Sequence, residues 1–301
     1  MRIAQSDLRG LLVFRAIVEH DGFKGAQLAL GMSQSTISFH LKALEDRLGF
    51  ELCRRGRSGF SLTQRGRDVF DASKGVVSAL LNFEGRLGEL QQRIVGTIRI
   101  GIVDTTITDP LSPVSRAIAT CMCEPGKPEI KLSVSHPHVL AGELEKGGID
   151  LAISPETEFF SGVSSTPIYR EYSTLYCGWN HPLFNHRGKM SKSDVMKHAF
   201  VIRPYANNKD LKFFRDAEVR AYASNMEAQA MFILSGKVIG YLPEHYARTW
   251  VEAGKMKPIL SPKTRLSSQF VLLTSAMTEP TPLSKLFAQE IQKHAREPDI
   301  S

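Results

Sequence analysis

Cysteine is scarce in this 301-residue chain: Cys53, Cys121, Cys123 and Cys177 are all there is. None stands in a disulfide-framework or zinc spacing, which excludes a small stapled scaffold and leaves four expected thiols. No apolar run approaches the ~20 residues of a membrane span, and the first residues lack a signal-peptide apolar core. The expectation is a cytoplasmic protein with no membrane partner. Catalytic signatures are missing as well: no nucleophile elbow, no Gly-x-x-x-x-Gly-Lys phosphate loop, no His-Glu-x-x-His. His136 and His138 flank Pro137 with no third ligand in view. These gaps lead away from an enzyme, a resident cofactor or a metal site. Proline, finally, is absent from Gln64 to about Arg93, which leaves room for one long helix.

What is present is basic charge, unevenly placed. The net charge is +7. Up to Arg67, eleven Lys and Arg stand against six Asp and Glu, a surplus of five in the first fifth of the chain. Charge concentrated in one small region implies a polyanionic partner, although a merely basic surface would share it. The length suits two or three domains.

Residues 7–63 carry a pattern. Asp7 is placed to cap a helix running to about His20, buried through Leu8, Leu11, Leu12, Phe14, Ile17 and Val18. A turn at His20-Asp21-Gly22 precedes a short helix marked by Phe23, Ala26, Ala29 and Leu30 and ended by Gly31. Ser33 caps a third helix whose Ile37, Leu41, Leu44 and Leu48 form one stripe, closed by Gly49. Ser35, Ser38, Phe39 and Lys42 lie on its other face. Phe50–Cys53 reads as a strand, residues 54–59 as an arginine-bearing turn, and Phe60–Thr63 as the returning strand. This is a winged helix-turn-helix. Short hydroxyl side chains at Ser33, Ser35, Thr36 and Ser38 let a helix approach duplex DNA closely and bond phosphates or base edges, and Gln34 and Lys42 reach farther. Arg54, Arg55 and Arg57 suit adjacent phosphates or a narrow minor groove. The third helix alone is equally a solvated face; the wing, the preceding helix and the charge favour DNA.

Val69, Ser73, Val76, Leu80, Phe83, Leu87, Leu90 and Ile94 then follow four- and three-residue steps. Such a seam predicts a helix over residues 64–94 that pairs with its copy in a second subunit. Packing against its own chain is the alternative. Gly75, Gly85 and Gly88 weaken the isolated helix. Val95-Gly96-Thr97 reads as a hinge. Beyond it, strands at 97–102, 130–134, 149–153, 175–178, 200–202 and 237–242 alternate with helices at 111–120, 140–145 and around Leu283–Ile291, an α/β pattern.

Residues 7–66 resemble the winged helix-turn-helix of LysR-type transcriptional regulators, through Ser33-Gln34, Ile37-Ser38, Leu44-Glu45, Leu48-Gly49, Leu52, Arg54 or Arg55, Leu62-Thr63 and Gly66. That resemblance places Thr63 among the expected DNA-binding residues. Three departures stand out: Ser35-Thr36 replaces Pro-Ala, Phe39 an arginine, and His40 a frequent glutamine. Phe39 either meets a thymine methyl or packs. Lys24 and Gln27 replace Thr and Ala, and Lys24 is kept as a phosphate contact. The runs Gly148–Ile153 and Gly236–Pro243 resemble the family's effector domain, a two-lobed α/β fold of the type II periplasmic-binding-protein kind.

The resemblance implies a DNA-binding domain at 1–63, a linker helix at 64–94 that dimerises the chain, and an effector domain at 95–301. The latter would form lobe I from about 97–166 and 267–301, and lobe II from about 167–266. It further implies a homotetramer on an interrupted palindromic operator, contact with RNA polymerase, and a small-molecule effector between the lobes. Asp104, Thr105, Thr106, His136, His138, Ser154, Pro155, Ile202 and Arg203 would line that cleft. Hydroxyls and amides near a helix start, with Arg203, suit an organic acid. Asp104 opposes an anion, and Arg203 in a salt bridge is the competing expectation. A redox sensor built on Cys121 and Cys123, an enzyme using the two lobes, and an effector-free nucleoid binder are the other classes.

Overall fold

Ser33 fixes where the third helix begins. Its Oγ accepts from the Thr36 amide at 3.2 Å, and at the far end Gly49 takes a left-handed φ of +78°. The chain is seen in a computed structural model that describes residues 4–56, 59–91, 93–156, 162–188, 190–206, 209–260, 262–276 and 279–295. Arg57 lies outside them, and only the backbone of Arg55 is described. The chain divides into two compact units, residues 1–84 with 146–148, and residues 85–145 with 149–301.

The first unit runs α1 (Gln5–Glu19), α2 (Phe23–Leu30), α3 (Gln34–Leu48), β1 (Cys53–Gly56), β2 (Gly59–Leu62) and the start of α4 (Gln64–Leu90). Val13, Phe14, Ile17, Phe23, Ala26, Ile37, Leu41, Leu44 and Leu52 form its core. Leu12 faces outward at 40% exposure, and Val13 occupies the inner position expected of it. Asp7 is not the residue before α1. It sits one turn in, accepts from the Ala4 amide at 2.7 Å and pairs with Arg47 of α3 at 2.8 Å.

The wing begins three residues later than the apolar run suggested. Glu45 Oε1 accepts from the amides of Leu52 (2.7 Å) and Cys53 (3.3 Å), which holds that segment to α3 as a connector. Arg54 and Arg55 therefore lie in β1, paired with Ser61 and Phe60, rather than in the turn. Gly66 explains its own identity: a Cβ there would stand 2.0 Å from the Leu52 carbonyl oxygen.

α4 ends at Leu90, so Ile94 leaves the expected seam and packs instead into the core of the second unit. Ser73, the polar member of the series, is buried and accepts from Arg15 at 2.9 Å; the Arg15 guanidinium also lies 4.8 Å over the Phe70 ring. Farther along, Phe83 (60%), Leu87 (43%) and Leu90 (83%) are exposed.

The second unit contains β3 (Thr97–Ile102), α5 (Val114–Met122), β4 (Glu129–Val134), α6 (Pro137–Glu145), β5 (Leu151–Pro155), β6 (Val163–Gly178), α7 (Lys192–Val195) and β7 (Phe200–Ile202). It continues with β8 (Val219–Tyr222), α8 (Met226–Leu234), β9 (Gly240–Pro243), α9 (Glu244–Glu252), β10 (Met256–Ile259), β11 (Leu266–Ser275) and α10 (Pro282–Lys293). One sheet runs β10-β6-β11-β5-β3-β4, with β9 also on β6; β3 is parallel to β4 and β5, and the other pairs are antiparallel. β7 and β8 form a separate parallel pair. Asp150 clamps β3 to β5, taking the Arg99 amide at 2.7 Å and its guanidinium at 2.6 and 3.2 Å.

Three groups of buried side chains define the lobes, one in lobe I and two in lobe II. Ile98, Ile100, Leu151, Ile153, Ile168, Tyr169, Phe270, Leu272 and Phe287 belong to the first. Tyr176, Val201 and Ile233 belong to the second, and Leu175, Phe200, Tyr241 and Leu266 to the third. β6 and β11 contribute to both lobes, so they are continuous struts from lobe to lobe. Ile168 and Tyr169 remain with lobe I, which moves the expected division at residue 167 farther along β6. Among the described residues no helix is long and apolar enough to cross a membrane.

Candidate functional site

In the first unit, Lys24, Ser33, Gln34, Ser35, Thr36, Phe39 and Lys42 are all exposed, Ser38 is half-buried, and Arg54 is exposed in β1. The hydroxyls are linked: Ser33 Oγ lies 2.8 Å from Ser35 Oγ and 2.7 Å from Thr36 Oγ1, while Ser38 Oγ donates to the Gln34 carbonyl at 2.8 Å. Phe39 is 70% exposed, its ring edge-on to His40 at 5.6 Å. An aromatic so far out of the core gains little from folding, so packing does not explain it. Thr63 differs from expectation. Its hydroxyl donates to the Glu51 carbonyl at 2.8 Å and accepts from the Gly66 amide at 2.9 Å, which makes it the anchor of α4 rather than a DNA-facing group.

In the second unit a cavity of about 160 Å³ opens between the lobes, below the ~300–1,000 Å³ usual for drug-sized ligands. Asp104, Thr105, Pro155 and Arg203 line it, as do Glu171, Ser173, Tyr205, Lys209, Lys212, Met226, Ser267, Ser268 and Phe270. Five expected liners do not. Thr106 is buried, its hydroxyl donating to the Val103 carbonyl at 2.8 Å. Ser154 is fully buried, and Ile202 belongs to the lobe II core. His136 approaches the cleft only through Tyr205, 4.7 Å from its ring, and His138 stacks behind it at 5.9 Å.

Arg203 is already neutralised. Its Nη2 and Nε meet the two Asp210 carboxylate oxygens at 2.5 and 3.0 Å, and Asp210 also takes the Arg203 amide at 2.9 Å. Burial works against this charge, but the Asp210 carboxylate outweighs it and holds the guanidinium above the usual arginine range. A bidentate internal pair leaves little of the fork for an incoming carboxylate. Burial also pushes the Tyr205 phenol up to about 12. Asp104 is spent too: it accepts from the Met226 amide at 2.6 Å, at the start of α8, where Asn225 Oδ1 also caps the Ala228 amide at 2.8 Å. Sequence reasoning missed Glu171, Tyr205, Lys209, Lys212 and the Ser267-Ser268 pair, which come from segments without a motif.

Cys121 and Cys123 lie at the end of α5. Cys121 is buried, and that burial pushes its thiol up to about 11, opposite to what thiolate chemistry needs.

An exposed recognition helix with a wing, joined by a long helix to a two-lobed α/β domain with a cleft, is the architecture of a DNA-binding transcriptional regulator. Residues 8–67 match the family model described as "Bacterial regulatory helix-turn-helix protein, lysR family", and residues 91–296 match "LysR substrate binding domain". The chain belongs to the LysR family of transcriptional regulators; it is not an enzyme. The HTH-type transcriptional activator BauR of Pseudomonas aeruginosa is 31% identical over 292 residues, covering 96% of each chain. The fold also matches the crystal structure of CbnR, a LysR family transcriptional regulator (TM-score 0.67, 15% identity, 96% of this chain and 99% of that one). Full-length CbnR in complex with its target DNA matches similarly (TM-score 0.65, 15% identity, 95% and 99%).

Proposed function

We propose that the protein acts in the cytoplasm as a homodimer joined along α4, assembled further into a homotetramer. Paired α3 helices sit in successive major grooves of an interrupted palindrome, with the wings on flanking phosphates. The observation that carries this reading is the outward face of α3, where hydroxyls, Lys42 and the unburied Phe39 stand together. The apolar row Phe83, Leu87 and Leu90 supports pairing of α4, since exposed apolar rows on a helix mark partner surfaces. The functional divisions adopted are residues 1–63 for DNA, 64–94 for pairing and 95–301 for the effector. Ligand binding shifts the balance of subunit arrangements and hence DNA bending and access for RNA polymerase. The activator role of the Pseudomonas relative supports positive control.

The effector reading is a compact organic acid that also carries a hydrogen-bond donor or a positive charge. Lys209, Lys212 and the Ser267 and Ser268 hydroxyls supply the anion-binding side; Arg203 is occupied by Asp210. Glu171 and Asp104 face the same space, which disfavours a purely anionic ligand. A thermal-shift screen of the full chain against amphoteric acids, simple dicarboxylates and neutral metabolites tests this. The first group is expected to raise Tm; stabilisation by dicarboxylates alone would overturn the assignment.

A further inference from the structure

Behind the cleft wall, three segments far apart in sequence bring three ligand-type side chains together. Asp109 follows the turn after β3, Glu171 lies in β6, and His245 opens α9. One carboxylate oxygen of each acid and a ring nitrogen of the histidine all lie within 4.8 Å of one another. His245 Nε2 is 3.1 Å from Glu171 Oε1 and 3.5 Å from Asp109 Oδ2. All three side chains are more than nine-tenths buried.

The arrangement is unbalanced without a cation. His245 Nδ1 is 2.8 Å from Thr108 Oγ1, which fixes the ring and allows Nδ1–H to donate there, leaving the Nε2 lone pair toward both carboxylates. Asp109 Oδ1 accepts from the Leu111 amide at 2.9 Å, but Asp109 Oδ2 is buried without any hydrogen bond. An orphaned buried carboxylate oxygen and a converging imidazole call for a positive charge at their centre.

We propose that Asp109, Glu171 and His245 bind a divalent transition-metal ion of the zinc type. Ligands at ~2.0–2.2 Å from a tetrahedral ion stand roughly 3.3–3.6 Å apart; the 3.5 Å from Nε2 to Asp109 Oδ2 falls in that range, and the 3.1 Å to Glu171 Oε1 needs only a small outward shift. One imidazole nitrogen with two carboxylate oxygens suits zinc, cobalt or manganese better than calcium or magnesium, which prefer more oxygens. Three protein ligands leave one position open. Because Glu171 also lines the cleft, the ion lies next to the effector side, and it ties the β3–α5 turn to α9 across the lobes. The sequence offered no metal motif because the ligands share none.

The test uses the full chain, stripped by dialysis against a chelator and titrated with Zn²⁺ by calorimetry, with elemental analysis of the bound metal. One equivalent per chain is expected, and Co²⁺ should give the intense visible bands of a tetrahedral site. Asp109→Asn and His245→Gln should each weaken binding by ~100-fold or more, and Thr108→Val by ~10-fold. A His136→Gln/His138→Gln variant should bind as wild type does. Failure of the wild type to take up metal, with a His245 imidazolium seen by NMR instead, would overturn the proposal: the missing cation would then be a proton. Loss of uptake only in the His136/His138 variant would overturn it too. The Co²⁺ spectrum of the wild type stands even if a ligand variant does not fold.

Discussion

The Asp104 carboxylate lies 2.6 Å from the Met226 backbone amide, so a loop residue of lobe I closes the N-terminus of α8 in lobe II. A charged acceptor there is favoured by the helix dipole as well as by the hydrogen bond itself. Asp104→Asn should lower stability by ~1–2 kcal/mol in urea unfolding and leave operator affinity unchanged in the absence of effector. A loss confined to DNA binding would show that this contact does not hold the lobes.

Lys42 and Phe39 share the outer face of α3. Lys42→Ala should weaken operator binding and reduce the slope of log K against log salt by about 0.9, the value for one lost phosphate contact. Phe39→Ala should change base preference while leaving that slope alone, because an aromatic ring neutralises no phosphate. Competition assays with single-base operator variants would separate the two effects.

Gly66 allows α4 to lie directly on the Leu52 backbone. A methyl group at 2.0 Å from that carbonyl forces the helix away, and overpacking of this kind costs about 1–3 kcal/mol. Gly66→Ala should therefore lower the melting temperature of the DNA-binding unit, read by circular dichroism, and broaden operator binding with it.

Phe83, Leu87 and Leu90 are open on α4. Phe83→Asp with Leu87→Asp should shift sedimentation toward the monomer and abolish binding to paired half-sites. Retention of the wild-type mass would place the subunit contact elsewhere.

His181 is nearly inaccessible, with Nδ1 accepting from the Leu183 amide at 3.2 Å and its ring 4.6 Å from that of His198. Burial first, then the His198 charge, lowers its pKa from 6.5 to about 4. The unfolded chain thus binds the proton more readily, so this site is stable above pH 6.5 and loses stability as pH falls from 6.5 toward 4. His181→Gln should flatten the pH dependence of unfolding in that window.

The sequence was most readable where one residue settles a local choice. Ser33 and Gly49 bracket α3, the four apolar positions between them are spaced for one face, and Thr97–Ile102 alternates as a strand should. Legibility failed where distant groups decide. Glu45 captures the amides of Leu52 and Cys53 and so delays the wing. Nothing in the run 163–178 announces a single strand, because its inner face changes partners midway from one lobe core to the other. The cleft is legible only in part: its first loop is recognisable, whereas Lys209, Lys212 and Ser267-Ser268 arrive through tertiary folding, and Arg203, which the sequence leaves open between a ligand contact and a salt bridge, lines the cleft while held by Asp210 seven residues on.

β6 and β11 remain paired from Ser173–Leu266 to Val163–Ser275, with a single slip in register between Phe270 and Val271. Uninterrupted ribbons of this kind do not swing like a door; they flex like a leaf spring, and the slip is the point of least stiffness. Phe270 also forms part of the cavity surface. Whatever fills the cavity therefore presses on the spring at the place where it yields most easily, and sensing and bending are served by one spot in the backbone.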